Sequence, residues 1–358
     1  MRDLKTTNTL LLIIVVILIF YILKILSFIF VPLIFSMFIA LMFLPLTRWL
    51  GKRKVPKMIS ILIVIIIITG ILKLGSDLIR HSIYEIISVD GAFIEKVETK
   101  LVTLIVSIER FLGIDRLQGE NIFIHYFQIN NISKNLGSTV NFIGDALTMT
   151  LMTVFFTILL LSESINFQKL MNKTLFDIKF SSVKIFMQIE KDIIKFVLVK
   201  FFISLFTGIS ISLTCLFFDI NFPVFWGLLA FILNFIQLIG SVAVVLLLSL
   251  FAFVEIEPTG ALFFFILTLI AIQILFGSIL EPIFIGKTFS INIITVLIML
   301  MLWGYIWGIP GLIMSIPITV FIKIILEQFP KTKTIASLMT GNEITVNLIR
   351  KRRKIQTS

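Results

Sequence analysis

Residues 288–322 contain no charged side chain, and this tract of 35 positions limits what the chain can be more than any other feature. Drawn out as one straight helix it would be roughly 52 Å long at 1.5 Å per residue. A bilayer's hydrocarbon core is about 30 Å thick, so a single crossing cannot use it all. The breakers sit together inside it: Gly304, Gly308, Pro310, Gly311 and Pro317. Proline removes a backbone donor and glycine weakens a helix, so the tract is expected to bend or unwind near 307–311. Backbone freed at that depth must be buried in protein or face a water-filled cavity, which is how transporters build substrate sites.

A second tract, 220–254, has the same length and the same freedom from charge, with Asn234, Gln237 and Gly240 in its middle. Both tracts carry Trp-Gly pairs, a degenerate internal repeat. Interrupted apolar segments in corresponding halves point to a transport site. If both fold back as hairpins, six spans remain and the basic tail at 350–354 is cytoplasmic. One crossing each gives eight spans with the same tail placement, at the cost of strong tilt or kinking. The expected fold is therefore an all-α polytopic membrane protein of about six to eight transmembrane helices with two Gly/Pro-interrupted, re-entrant hairpin segments.

Composition supports this. The chain is 58% hydrophobic and 14% charged, where a soluble domain carries about 25% charge. Its net charge of +11 concentrates in loops and tail, which reads as an orientation signal and contact with lipid headgroups rather than nucleic-acid binding. The one cysteine, Cys215, lies in an apolar run, and His81 and His125 are far apart in sequence. No metal site, cofactor or catalytic residue is expected.

The apolar stretches define the order of the chain. Residues 1–72 read as two spans or one tight helical hairpin over 9–47, interrupted by Lys24, followed by a third span from Met58. No small-residue cleavage site follows the first apolar run, so it is not read as a signal peptide. The loop 48–57 holds five basic residues and no acid, which places it and the N-terminus on the cytoplasmic side. Section 73–140 is net acidic and is expected outside the cytoplasm, with an amphipathic packing helix at 93–112. Residues 141–219 supply the fourth and fifth spans around a cytoplasmic connector, 162–195. The transport core is 220–330, and 331–358 is a basic cytoplasmic tail.

Within the core, Asn234, Gln237, Gln273 and Asn292 are neutral hydrogen-bonding groups in apolar runs. They suit a small polyhydroxylated solute, or hydrogen bonds between helices. Glu281, beside Pro282 at a membrane boundary, is a candidate for a cation, a proton or a solute hydroxyl. Its alternative is an interfacial cap, with Lys287 as a possible ion-pair partner. Gly240, Pro282, Gly304, Gly308, Pro310, Gly311 and Pro317 are the candidate hinge and re-entrant residues. Trp226, Trp303 and Trp307 read as interfacial anchors. Asp145 and Lys200 are expected to snorkel to their own interfaces rather than pair.

Three segments, 225–241, 279–327 and LSESINFQKL at 161–170, resemble the AI-2E family of bacterial transporters. That family includes exporters of the quorum-sensing autoinducer-2 and permease-like proteins. The resemblance covers nearly the whole chain. It implies a multi-pass protein of the bacterial inner membrane, a homo-oligomer with a pentamer among the states it allows, and alternating access by movement of the hairpin-bearing part. Two departures stand out. Ile236-Gln237-Leu238-Ile239-Gly240-Ser241 lacks two prolines usual in the family, and Lys200 stands where the family carries a glutamine.

The leading functional reading is a secondary transporter of a small, autoinducer-2-like solute. The alternative is a Na⁺ or Li⁺/proton antiporter using Glu281 or Asp145, although paired intramembrane acids are missing from the sequence. No phosphate-binding loop and no protease motif is present, so neither nucleotide-driven transport nor membrane enzyme chemistry is expected. A non-transporting scaffold would leave the broken helices without a purpose.

Overall fold

The computed structural model describes residues 2–87, 99–100, 147–162, 180–236, 239–256, 260–286, 291–328 and 332–340, and among these all regular structure is helical. In hydrocarbon a segment must satisfy its own backbone polar groups, and Leu-, Ile- and Phe-rich runs do so as helices. Among the described residues, six helical stretches are long and apolar enough to cross a membrane. In chain order the helices are α1 (Arg2–Ile25), α2 (Ser27–Lys52), α3 (Lys57–Ile87), α4 (Leu147–Ser162), α5 (Phe180–Phe217), α6 (Pro223–Leu233), α7 (Ile239–Glu255), α8 (Gly260–Gln273), α9 (Glu281–Ile285), α10 (Ile293–Gln328) and α11 (Lys333–Thr340). A π-helical segment, Ile274–Leu280, joins α8 to α9.

The N-terminal run forms two long helices, and of the two expected forms it is not the tight hairpin. A single residue, Leu26 at φ −90° and ψ 25°, links α1 to α2. Helical bonds run through it, from Leu26 N–H to the Ile22 carbonyl and from Phe30 N–H to the Leu26 carbonyl. One residue in that conformation bends a rod and cannot reverse it. Two other helices outrun their expected spans, since α3 continues beyond residue 72 and α5 begins at Phe180 inside the connector. Charge marks where a helix leaves oil, whereas its hydrogen bonds decide where it ends.

Both charge-free tracts fold back on themselves. In the first, α6 and α7 are arms about a turn that begins at Asn234. The turn bonds its own backbone: Asn234 N–H donates to the Ala230 carbonyl, Ile236 N–H to Leu233 and Gly240 N–H to Ile236. Gly240 lies against the Leu233 carbonyl so closely that no side chain fits there. At the open end, the Asn221 backbone N–H and side-chain amide both donate to the Glu255 carboxylate, the former at 2.8 Å. Lys100 donates to the Phe253 and Ile256 carbonyls at 3.3 and 3.0 Å, occupying bare acceptors at the end of α7. The rest of the expected helix at 93–112 lies outside the described residues, as do Asp145 and the tail at 341–358.

In the second tract the reversal is at Gly308, whose φ of 62° and ψ of −138° divide α10 into arms 293–307 and 309–328. These are roughly 22 and 30 Å long. Gly311 presses on the Trp303 carbonyl and Gly304 on the Leu312 side chain, contacts that a straight helix could not make. Pro310 falls in the first turn of the second arm, where its missing N–H costs nothing. Pro317 lies within that arm, and Pro282 in the first turn of α9. Asn292, at the start of the first arm, bonds α11 through its backbone N–H to the Met339 carbonyl and its side-chain amide to Leu338. Because α11 directly follows the second arm, the two ends of this tract also meet.

The hairpins enter from opposite ends. Helix α5 runs antiparallel to α8–α9, as three contacts in register show. The Phe218 and Phe265 ring centroids are 5.3 Å apart, Lys200 Nζ is 2.9 Å from Glu281, and Lys195 Nζ is 3.9 Å from where a Cβ on Gly286 would lie. The first hairpin leaves the C-terminal end of α5, and the second begins beside its N-terminal half. An ion pair between Arg48 of α2 and Glu190 of α5 sets the basic 48–57 loop at the second hairpin's end.

Lipid is as apolar as leucine, so close packing holds such helices together more than burial from water does. The seam between α5 and α6 shows this most clearly. A Cβ on Gly208 would lie 2.6 Å from the Gly227 carbonyl oxygen, and one on Gly227 2.9 Å from that of Gly208. The first hairpin's core adds Ile211, Cys215, Trp226, Ala230, Val244, Leu248 and Phe265. The second hairpin packs with α2 and α5 through Phe38, Phe196, Trp303, Trp307, Ile316 and Val320.

Candidate functional site

A cavity of about 370 Å³ opens between α5, the first hairpin and the α8–π–α9 rod. Its polar lining comes from Lys200, Asn234, Ser241, Gln273, Ser278 and Glu281. Three of the solute-binding candidates, Asn234, Gln273 and Glu281, are thus gathered from three separate elements. The size falls in the range of small-ligand pockets.

Each side chain arrives for a local reason. Asn234 is the first residue beyond α6, where the hairpin turn begins, and it is buried with its amide donating 3.0 Å to Ser204 Oγ of α5. The π segment lies between Gln273 and Glu281. Its wider turns shift the register of the α8–α9 rod, a distortion that recurs at functional sites. It brings Ile274, Gly277 and Ser278 to the cavity wall. Gly277 faces open space, with no atom within 4 Å of a Cβ built there. The Oε1 atom of Gln273 is buried and has no hydrogen-bond partner among the described residues.

Lys200 and Glu281 form the cavity's charged wall. Lys200 Nζ donates to both Glu281 oxygens, at 3.1 and 2.9 Å, with only 3% and 8% of the two residues exposed. The sequence reading had Lys200 snorkelling and Glu281 beside Lys287. Instead the antiparallel register of α5 and α9 sets Lys200 against Glu281, both largely buried at the cavity wall. Lys287 lies outside the described residues. Two signals in the sequence single out Lys200: its charge within an apolar span, and the family resemblance, in which a glutamine is usual there.

The remaining candidates lie elsewhere. Asn292 is not brought to the cavity. Its Oδ1 accepts the Thr295 N–H at 2.6 Å, an N-cap that starts α10. Gln237 is outside the described residues. The three tryptophans expected as interfacial anchors are buried, Trp226 at 7%, Trp303 at 6% and Trp307 at 8% exposure. Trp303 and Trp307 pack with ring centroids 4.8 Å apart, and the Trp307 indole donates 2.9 Å to the Leu23 carbonyl at the α1–α2 bend. Beside it, Lys24 Nζ sits 3.7 Å from the Tyr305 ring centroid, which gives the cation inside the first apolar run a partner.

A second cavity, of about 360 Å³, is lined almost wholly by hydrocarbon, from α2, α3 and α5 and from Phe231, Phe235, Ile313 and Met314 of the two hairpins. It offers a polar solute nothing to bond. Among the described residues no group of His, Cys, Asp and Glu is arranged to hold a metal ion.

Comparison with known proteins bears on the whole arrangement. Residues 10–331 match the family described as AI-2E family transporter. The AI-2 transport protein TqsA of Escherichia coli (strain K12) is 26% identical over 317 residues, which is 87% of this chain and 89% of that one. A candidate transport protein of Haemophilus influenzae is 25% identical over 341 residues, 94% of this chain and 97% of its own length. One from Borreliella burgdorferi is 35% identical over 162 residues, so the match spans 45% of this chain and 44% of that relative.

Proposed function

The chain belongs to the AI-2E transporter family, and on that footing we propose that it is a secondary transporter whose solute binds in the cavity walled by Lys200, Asn234, Gln273 and Glu281. The observation that carries this reading is Asn234. It belongs at once to the turn of an interrupted helix pair and to the polar wall of the cavity. A shift of the first hairpin against α5 therefore changes the site, which is what alternating access requires. The solute is small and polar, because the wall offers two amides, two hydroxyls and an ion pair within apolar sides. Autoinducer-2, named for the Escherichia coli relative, is a candidate to be tested among others.

The antiporter reading is weaker at this site. Lys200 already neutralises Glu281, so an incoming Na⁺ or Li⁺ would have to expel a buried ammonium to reach the carboxylate. We assign transport and not catalysis. The protein is read as an inner-membrane homo-oligomer, a pentamer included, with the C-terminal tail cytoplasmic. Supporting that orientation, the basic 48–57 loop shares an end with the second hairpin's base, and Lys100 of the acidic section meets the base of the first.

The test is uptake into proteoliposomes of autoinducer-2, polyols, α-amino acids, and Na⁺ or Li⁺ under a pH gradient, by the wild type and by Gly277→Leu. The added side chain grows into open cavity. Uptake of one solute class that Gly277→Leu reduces at least tenfold is expected. Uptake unaffected by that plug would remove the cavity from the pathway.

A further inference from the structure

We infer that the solute accepted by this cavity is a small zwitterion, held with its anionic group on Lys200 and its cationic group on Glu281. The inference rests on the cavity being the transport site and adds the charge character of what enters it.

The argument starts from what the ion pair excludes. Both partners are nearly sealed from solvent and both line the cavity. A lone cation binding Glu281 strands the Lys200 ammonium, and a lone anion binding Lys200 strands the carboxylate. Stranding one member of a buried pair is strongly unfavourable. A neutral polyol leaves the pair intact but cannot compete for either charge. A zwitterion inserted between the two replaces one ion pair by two and leaves no charge unmatched.

Two further features favour this occupant. A buried ion pair is a poor device for stability, and well-packed apolar residues of similar volume often do as well or better. Here it forms the wall of a hollow, where it gains least from packing. Near it Gln273 lines the cavity, its buried Oε1 without a donor among the described residues. An ammonium or amine on the solute would meet the polar side chains of Asn234, Ser241 and Ser278 beside Glu281.

The experiment uses the purified full-length protein in detergent, with thermal unfolding read against four probe sets. These are the standard α-amino acids, their decarboxylated amines, their deaminated acids, and autoinducer-2 with simple polyols. A ligand present at about 100-fold over its Kd raises Tm by several degrees. At least one α-amino acid is expected to do so, while the matching amine and acid at the same concentration do not. Lys200→Gln/Glu281→Gln keeps a polar side-chain pair without charge, so it is expected to fold and to lose the shift. The exchange Lys200→Glu/Glu281→Lys restores both charges and is expected to recover the shift at least in part, which a purely structural role for the pair would not require. If either variant fails to fold, Gly277→Leu, which leaves the pair alone, must abolish the shift. The inference is overturned if no amino acid shifts the wild type, if the amine or acid does as well as the amino acid, or if the double amide still responds. A shift with autoinducer-2 or a polyol alone overturns the zwitterion and leaves the transport reading standing. Amino-acid binding without uptake into proteoliposomes would instead remove transport while keeping the charge requirement.

Discussion

Gly311 packs so closely against Trp303 that a Cβ added to it would overlap the tryptophan's carbonyl oxygen. Residues eight apart on a straight helix are about 12 Å apart along its axis, so this contact exists only because the chain reverses between them. Gly240 stands in the same relation to the Leu233 carbonyl in the first tract. Each tract thus has a glycine on the returning arm seated on the end of the outgoing one. Gly311→Ala and Gly240→Ala are each expected to cost at least about 1–3 kcal/mol, the usual penalty of overpacking, because the obstructing atoms are backbone and cannot rotate away. Thermal unfolding in detergent measures it, with Gly277→Ala as a control expected within about 0.5 kcal/mol of wild type.

Gly308 fails for a different reason. No atom lies within 4 Å of a Cβ built on it, but its φ of 62° belongs to backbone that side-chain-bearing residues avoid. Gly308→Ala is expected to lose about 1–3 kcal/mol from conformational strain alone. Gly308→Leu with Gly311→Leu is expected to insert in the membrane and to lose uptake at least tenfold.

How far the sequence reached follows from what each signal measures. Charge-free length against bilayer thickness marked both tracts, and Gly308 could be read as a breaker because a bend needs glycine or proline. Neutral polar groups in apolar runs marked Asn234 and Gln273. Contacts that depend on register were out of reach. Nothing local sets Lys200 opposite Glu281 across 81 positions, and Asn292 resembled a ligand until its cap to Thr295 was visible. The π segment leaves no pattern in composition. An apolar run of two spans' length does not reveal whether its joint reverses or only bends, so the Leu26 bend has no counterpart in the sequence pattern.

The seam between α5 and α6 depends on Gly208 and Gly227, each close against the other's carbonyl oxygen. Gly208→Ala brings a methyl to 2.6 Å from the Gly227 carbonyl oxygen, so the helices must separate. A loss of about 1–3 kcal/mol is expected. Because Asn234 reaches Ser204 across the same seam, ligand-induced stabilisation should weaken as well, measurable in the same unfolding experiment.

Trp307 ties the tip of the second hairpin to the bend between α1 and α2. Trp307→Phe keeps an aromatic ring and removes the donor, for an expected cost of about 1 kcal/mol. Spin labels on α1 and on the second arm of the hairpin would report a broader distance distribution in the variant than in the wild type.

The central claim is that a tract too long for one crossing turns back inside the membrane. Pulsed electron paramagnetic resonance between spin labels at Phe217 and Ile256, in protein reconstituted into bilayers, tests it most directly. With Asn221 bonded to Glu255, those two positions are at most about 25 Å apart even if the residues between each label site and the contact are fully extended. The account predicts a single distance below that limit, allowing for the label linkers. A distance of about 58 Å, the separation of the two positions along one unbroken helix, would contradict it.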